Sequence, residues 1–564
     1  MTNGQSVKAQ TLVGLMSACM VAANVQAGIH NVKLDTSPGR QRTGLSVDMK
    51  RIGTVAPRSV YDIGSCGKWS VGCEILDRDF ADFKEYCEFY EPLGIRSVRL
   101  QSGWAKTERV RGVYDFRWLD GLVDFFHARG FEIMIEPGYC NPIYDCGGAK
   151  GGWDLGTGFP RTEEGLAAWD RYVTKLVDRY RDRVSAWSMW NEASNLWDRK
   201  GRPEYAEPEE SARFCNRTAK LVLSRQPEAR IAIFTLGSDA SKDPKGRFLE
   251  RALPAIPKED LARYTWIIVH GYCYRPEDAQ PGIDRIRALI AEFAPNLKIR
   301  QGEQGCPSEG IVSFALPYAP WSEISQAKWF MRRMLFDCGN GIQSHVYTMS
   351  DFVHEGVYVN SINNKGLIRG NLDRETIGVK RSYYAVQNVV SVFDDTVNLS
   401  VRPAFTNFDW TIRFNEYAKP DGRPVLAFWC DKEPGGRWFH DNPPGGGRPG
   451  DSFETRPTVF FSTAKPMEHP VWVDLFSGRI YELPAADVQG SRSGTMYVNV
   501  PVYDSPCLLT ERSVVIDDVK PPTVTVEEMV RKAKSDISTY DAGPKVKRQG
   551  VMNGSAARQK GLDI

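Results

Sequence analysis

Trp187-Ser188-Met189-Trp190-Asn191-Glu192-Ala193 is the stretch on which the reading of this chain turns. Val184 to Trp190 is uncharged and rich in aromatic and aliphatic residues, as a strand covered on both faces would be. Asn191 and Glu192 then stand where the strand should end. In a parallel α/β barrel the carboxyl ends of the strands are where chemistry is placed. A carboxyl group walled by Trp187 and Trp190 would be desolvated and its pKa raised, which suits a general acid. The same Glu would also suit the N-terminus of an ordinary helix, where the dipole favours a negative charge. The heptapeptide alone does not choose between these, so its neighbours must.

Working outward, the stretch sits between two helical patterns. Glu163 to Arg183 places Leu166, Trp169, Val173, Leu176 and Val177 on one face, and Ser211 to Ser224 follows. The same alternation extends in both directions. Strands are predicted at Val60–Gly64, Ile95–Leu100, Phe131–Glu136, Val184–Trp190, Arg230–Thr235, Tyr264–His270, Leu297–Gln301 and Ile342–Thr348. Helices are predicted at Asp79–Glu91, Val113–Arg129, Glu163–Arg183, Ser211–Ser224, Arg247–Ile256, Ile283–Phe293, Ser322–Cys338 and Gly378–Val392. Regular strand–helix alternation implies a parallel sheet, and eight such units imply a closed (β/α)8 barrel over residues 56–395.

After residue 395 the helical period stops, and short alternating runs such as Trp410–Phe414, Pro424–Cys430 and Val471–Phe476 appear between turn signals. Residues 396–515 therefore read as an antiparallel β-sandwich, with the Pro/Gly-rich Asn442–Asp451 as an exposed loop. Residues 28–55 read as an irregular lead-in segment. Residues 516–564 lose apolar content and read as a charged, disordered tail with at most one helix, Val526–Lys534. Residues 1–27 carry Lys8, the apolar run Leu12–Ala23 and the small or modest residues Val25-Gln26-Ala27, the pattern of a secretory signal peptide. This predicts an exported protein, periplasmic or secreted. Cys19 is poorly set up for a lipid anchor, and no run is long enough to span a membrane. A net charge of +2 over 564 residues gives no basic surface for nucleic acid. Cys66 with Cys73, and Cys140 with Cys146, are spaced for local disulfides, and no doubled CxxC motif suggests zinc.

With eight strands placed, a second carboxylate occupies a matching position. Glu303 ends strand seven in Ile299-Arg300-Gln301-Gly302-Glu303-Gln304-Gly305, and 303 − 192 = 111 residues, or three βα units, separate it from Glu192. The ends of strands four and seven face each other across a barrel mouth. Two carboxyls about 5 Å apart are the equipment of a retaining glycosidase, one as acid/base and one as nucleophile.

At this point the sequence resembles a known group. Trp190-Asn191-Glu192 and Gly302-Glu303 are similar to the signature of clan A glycoside hydrolases, and Trp187–Glu192 with His270-Gly271-Tyr272 resembles family 39 and its cellulase-like relatives. Val471-Trp472-Val473-Asp474-Leu475-Phe476-Ser477-Gly478-Arg479 resembles the accessory sandwich of such enzymes. The resemblance implies hydrolysis of O-glycosidic bonds in a plant, microbial or host glycan by double displacement, with Glu192 as acid/base, Glu303 as nucleophile and no cofactor or metal. It implies that Asn191 holds the sugar 2-hydroxyl, that Arg99 pairs with the nucleophile, and that His270 and Tyr272 (or Tyr274 in place of the latter) line the site. Strand eight departs from the pattern by lacking the usual Trp, which leaves Tyr347 or Phe352 to stack on sugar. Trp104, Glu136, Tyr139 and Asn141 follow strands two and three and are further candidates for subsite contacts. An oligosaccharide or polysaccharide is the expected partner. A transglycosylase on the same site and a non-catalytic carbohydrate-binding barrel are the alternatives. The sugar, the linkage and the oligomeric state are not legible.

Overall fold

The computed structural model describes residues 32–37, 47–64, 67–147, 158–197, 205–237, 246–310, 315–317, 319–354, 361–400, 405–406, 412–431, 451, 453, 455–492 and 494–544. The stretch read as a signal peptide, Cys66 and most of the Asn442–Asp451 loop lie outside them. The architecture below belongs to the unit Leu34–Ile564.

Eight parallel strands form the barrel: β1 (Trp69–Gly72), β2 (Ser97–Gln101), β3 (Glu132–Glu136), β4 (Ala186–Ser188), β5 (Arg230–Leu236), β6 (Trp266–His270), β7 (Lys298–Glu303) and β8 (Ser344–Val346). Each pairs in parallel with its sequence neighbour from β1 to β7, with the register shifted once between β5 and β6 and once between β6 and β7, and β1 also pairs with β8. The sheet closes through a bridge between Arg300 and Gln343, with Gln301 N donating to Gln343 O at 3.0 Å. Met134, Ala186, Ala232 and Ile268 fill the interior between β3 and β6. Small residues on β4 and β5 leave room for Met134 and Ile268, so the barrel is packed solid beneath its mouth.

Seven of the eight strands lie where the sequence placed them, and the first does not. Residues Val60–Ile63 form a turn in which Ser59 N and Oγ both donate to Asp62 Oδ2, and the first barrel strand is Trp69–Gly72. The turn is apolar enough to imitate a strand, but Asp62 satisfies the Ser59 amide locally, as Asp in turns commonly does. The expected helix Asp79–Glu91 is instead a chain of short turns, Leu76–Arg78, Phe83–Glu85, Cys87–Phe89 and Tyr90–Leu93. It ends at Gly94, whose φ of 83° suits glycine.

Beyond the barrel, two antiparallel sheets stack as a sandwich. One has seven strands and contains Ile412–Ala418, Pro424–Cys430, Pro470–Asp474, Arg479–Glu482 and Cys507–Glu511; the other has four, including Thr455–Thr463 and Gly494–Tyr503. Leu426, Phe428, Trp472 and Leu509 from the first meet Val459, Phe461, Tyr497 and Val500 from the second in one core. The lead-in is not wholly irregular: Arg51–Thr54 pairs antiparallel with Arg479–Glu482 and forms an edge strand of the larger sheet.

The segment read as a disordered tail holds the one helix expected in it, and departs from expectation in that this helix docks on the barrel. Helix Val526–Asp536 begins with a capping box of Thr525 and Glu528. It buries Met529 and Ala533, and Asp536 and Lys534 pair with Arg129 and Glu88 of the barrel at 2.8 and 3.0 Å. Its spaced apolar residues find a barrel surface to cover, which compositional reasoning about the tail overlooks. Cys140 and Cys146 are disulfide-bonded as expected, whereas Cys73 is a free buried thiol. Among the described residues no helix is long and apolar enough to cross a membrane.

Sandwich and barrel meet through buried charge. Arg332, on the helix Glu323–Gly339, donates to both oxygens of Glu277 at 2.9 and 2.6 Å, and Trp429 of the sandwich donates to the same carboxylate at 2.6 Å. Arg332 counters the desolvation of Glu277 and holds its carboxyl below the ordinary value. Removing the cation strands a buried carboxylate. Arg332→Ala should therefore cost about 3–5 kcal/mol in urea denaturation, whereas a loss under about 1 kcal/mol would show that the pair does not hold the domains together.

Candidate active site

The loop after β1 and the carboxyl ends of β3, β4 and β7 converge on one guanidinium carried by β2. Arg99 on β2 is fully buried. Its Nη1 donates to Glu303 Oε1 at 2.9 Å, the Gly302 carbonyl at 3.2 Å and Glu74 Oε1 at 3.3 Å. Its Nη2 donates to Glu136 Oε2 at 2.9 Å and Asn191 Oδ1 at 3.0 Å. Burial pulls the guanidinium down, but Glu136, Glu303 and Glu74 outweigh it and hold Arg99 well above its ordinary pKa. A permanently charged, planar donor is the one side chain able to hold this many acceptors in fixed directions.

Glu192 leaves β4 in the left-handed conformation, φ 45° and ψ 48°, and enters the short turn Ala193–Leu196. For a residue with a side chain this costs about 1–2 kcal/mol, and it turns the chain so that the carboxyl meets groups from other strands. His270 Nδ1 on β6 lies 2.9 Å from Glu192 Oε1, and the Asn195 side-chain amide donates to Oε2. Glu303 receives a second hydrogen bond from the Tyr272 hydroxyl at 3.2 Å, and His270 Nδ1 lies 3.6 Å from its Oε2. Burial, reinforced by Glu303, pushes the Tyr272 phenol well above its ordinary pKa, so it stays a donor. One oxygen of each glutamate and one ring nitrogen of His270 all lie within 4.8 Å of one another. Those three atoms are spaced as a divalent cation would need. However, Glu303 is already committed to Arg99 and Tyr272, and a second full charge beside the guanidinium would be repelled.

The remaining expected residues separate into those the mouth gathers and those it does not. Asn191 is in place: while its oxygen accepts from Arg99, its Nδ2 donates to Tyr139 OH at 2.7 Å. Tyr347 packs edge-on to Tyr272, with ring centroids 6.3 Å apart, and Phe352 lies behind it at 5.9 Å. Glu136 is beneath the site, accepting from Arg99, Gln101 and Ser188. Trp104 does not belong to the mouth. It has no exposed surface, stacks between Tyr144 and Tyr172, and donates through Nε1 to Glu108 at 2.7 Å. Asn141 is likewise structural, donating to the Glu108 carbonyl at 2.7 Å. Both follow strands two and three, as expected, but the loops turn them under the surface. Trp187 and Trp190 are core rather than pocket wall: Trp187 points away from the barrel axis to Gln226 at 2.8 Å, and Trp190 packs against Trp169 and Phe214.

Three contributors escape the sequence reading. Glu74 follows β1, Arg78 donates to Gln101 at 2.6 Å, and Gln101 donates to Glu136 at 2.9 Å. Misplacing β1 hid the first two. Had Trp69–Gly72 been taken as the strand, Glu74 would have stood at its carboxyl end as Glu192 and Glu303 stand at theirs.

A family 39 glycoside hydrolase from the gut symbiont Bacteroides cellulosilyticus superposes with a TM-score of 0.55 at 17% identity, covering 82% of this chain and 83% of that one. The fold is that of a family 39 glycoside hydrolase. That fold comprises a parallel eight-stranded barrel with an antiparallel sandwich behind it, as the sequence suggested. A family 30 endoxylanase from Clostridium papyrosolvens aligns over 82% of this chain and 98% of its own at 11% identity, with a TM-score of 0.47. In sequence, residues 77–142 match the family described as beta-galactosidase. Beta-galactosidase BgaA from Clostridium cellulovorans is 37% identical over 49 residues, which is 8% of this chain and 7% of that protein.

The burial of Trp104 generates a test. Trp104→Phe should lower stability by about 1–3 kcal/mol, because Glu108 loses a buried donor, and should leave ligand affinity unchanged. A weakened affinity with unaltered stability would return Trp104 to the binding surface.

Proposed function

We propose that this protein is a retaining glycoside hydrolase that cleaves O-glycosidic bonds by double displacement. The observation that carries the reading is the approach of Glu192 and Glu303 to within 4.8 Å from the ends of β4 and β7. Retaining enzymes hold their two carboxyls about 5–5.5 Å apart, whereas inverting ones need roughly 6.5–9.5 Å to admit a water. The environments of the two glutamates also suit different roles. Arg99 and Tyr272 both donate to Glu303, which holds its carboxyl in a fixed direction, as a group that attacks an anomeric carbon requires. Glu192 is held between the His270 ring and the Asn195 amide, and at 25% side-chain exposure against 14% for Glu303 is the more accessible of the two.

On this reading Glu192 protonates the leaving oxygen while Glu303 forms a covalent glycosyl-enzyme. Glu192 then takes a proton from water, and the resulting hydroxide equivalent releases the sugar. Asn191, anchored on both sides by Arg99 and Tyr139, is held to present its remaining amide hydrogen to the sugar 2-hydroxyl. Tyr347 offers its ring in place of the missing strand-eight Trp. An oligosaccharide or polysaccharide is the substrate. The stretch similar to beta-galactosidases contains Arg99 and Glu136, which makes galactosides the first sugars to try, beside xylosides, arabinosides and glucosides. Export to the periplasm or medium is part of the proposal. It rests on the N-terminal signal pattern and on the Cys140–Cys146 disulfide, a bond that persists in oxidising compartments.

The test is a nitrophenyl glycoside panel, run with and without an acceptor sugar. Glu192→Gln should lose about 10²–10⁴-fold in turnover, the usual contribution of acid–base catalysis, and Glu303→Gln should be at least as impaired. A 2-deoxy-2-fluoroglycoside should label Glu303, as peptide mass spectrometry would show. Full activity in both variants would refute the mechanism; sugar transferred to the acceptor in preference to water would make the protein a transglycosylase.

A further inference from the structure

Arg99 faces more acceptors than its terminal nitrogens have hydrogens. Nη1 carries two N–H bonds and has three oxygens around it, from Glu303, Gly302 and Glu74. Glu74 and Glu303 therefore compete for the same nitrogen. They are unequal competitors. Glu303 lies 2.9 Å away and also receives the Tyr272 hydroxyl, whereas Glu74 lies 3.3 Å away. Glu136, the third carboxyl on the guanidinium, accepts from Arg99, Gln101 and Ser188.

Glu74 is also the carboxyl least able to carry charge. Its side chain is 1% exposed, and its Oε2 has no hydrogen-bond partner. It folds back over Gly72, where an added Cβ would come within 2.4 Å of Oε2, so the glycine makes room for it. An unsolvated, poorly donated carboxyl gains least from ionising when three share one cation.

We propose that Glu74 is a positioning residue that stays protonated in the working enzyme, leaving Arg99 to Glu303, and that its ionisation draws the guanidinium away and turns the site off. This rests on the glycosidase reading, in which Glu303 must be held by Arg99. Burial pushes the Glu74 carboxyl up to about 8, with Arg99 opposing and Glu303 adding to the rise. The other groups that face it do not replace Arg99. His345 Nε2 on β8 lies 3.4 Å away but is kept neutral, well below its ordinary pKa, by burial and by Arg99. His270 on β6 is engaged by Glu192. The Tyr272 and Tyr347 phenols are both pushed well above their ordinary range, by burial and then by Glu303. From its own loop, Arg78 donates to the Glu74 backbone carbonyl at 3.4 Å, and to the side chains of Gln101 and Asp77. The sign follows: a carboxyl with a raised pKa is neutral below it and charged above it, so the effect falls on the alkaline side.

The test combines kinetics with spectroscopy on the whole protein. The wild type should lose kcat/KM through a midpoint near 8 on the best glycoside of the panel. Glu74→Gln should move that alkaline limb upward by a unit or more. Infrared difference spectra between wild type and Glu74→Gln should show a protonated-carboxyl band at about pH 6 that vanishes by about pH 9. If the Gln variant does not fold, Glu74→Met, of similar length and uncharged, supplies both comparisons. Coincident alkaline limbs, or no such band, would overturn the proposal. If the wild type hydrolyses nothing in the panel, the glycosidase reading fails, and the spectrum alone still decides where the proton resides.

Discussion

The Arg99 guanidinium is the constraint around which the mouth of this barrel is built. One fixed cation, without exposure, takes acceptors from Glu74, Glu136, Asn191, Gly302 and Glu303. These come from the loop after β1 and from β3, β4 and β7, so the side chain ties together the strand ends that carry the two candidate catalytic groups. A lysine could supply the charge but not the directions, since its ammonium is a compact point donor. The arrangement also explains why so much carboxylate can be buried in one place. Each ionised group has at least one charge-assisted hydrogen bond, and the one that is poorly served can shed its charge by holding a proton.

The two glutamates of the proposed mechanism are held by different kinds of partner, and this division follows from the strands that carry them. Glu303 remains within β7, so its neighbours are fixed by the sheet: Gly271 N donates to its carbonyl at 3.0 Å, and Tyr272 one residue later reaches its carboxyl. Glu192 lies beyond the end of β4, in a left-handed turn, and is held by side chains from its own turn and from β6. A nucleophile benefits from a rigid seat, whereas an acid/base group must serve a leaving oxygen and then a water.

The barrel was legible because strand–helix periodicity is a long-range, redundant signal. Seven strands fell where expected, and Glu192 and Glu303 could be paired by counting units. The failures are local and have local causes. Val60–Ile63 has the composition of a strand, but Asp62 closes it into a turn, while Trp69–Gly72 is four residues long and carries too little pattern to stand out. That one slip concealed Glu74. Trp104 has the position of a subsite residue, but only the loop conformation decides that it faces Tyr144 and Tyr172 instead of solvent. Edge strand Arg51–Thr54 was missed because a single edge strand is defined by its partner, Arg479–Glu482, more than four hundred residues away.

The two ends of the described chain cross over between domains. Arg51–Thr54, which precedes the barrel, is stitched into the sandwich, and the segment after the sandwich returns to the barrel. There Tyr540 lies over Gly121, where any Cβ would collide with its ring at 2.6 Å, and its centroid sits 6.0 Å from that of Phe83. A barrel emerging during synthesis would therefore display the Phe83 face without its Tyr540 cover until the sandwich and the segment after it had been made. Non-local closure of this kind slows folding and lengthens the exposure of apolar surface. Neither domain is a free-standing module: each is completed by a piece of chain that lies on the far side of the other in sequence.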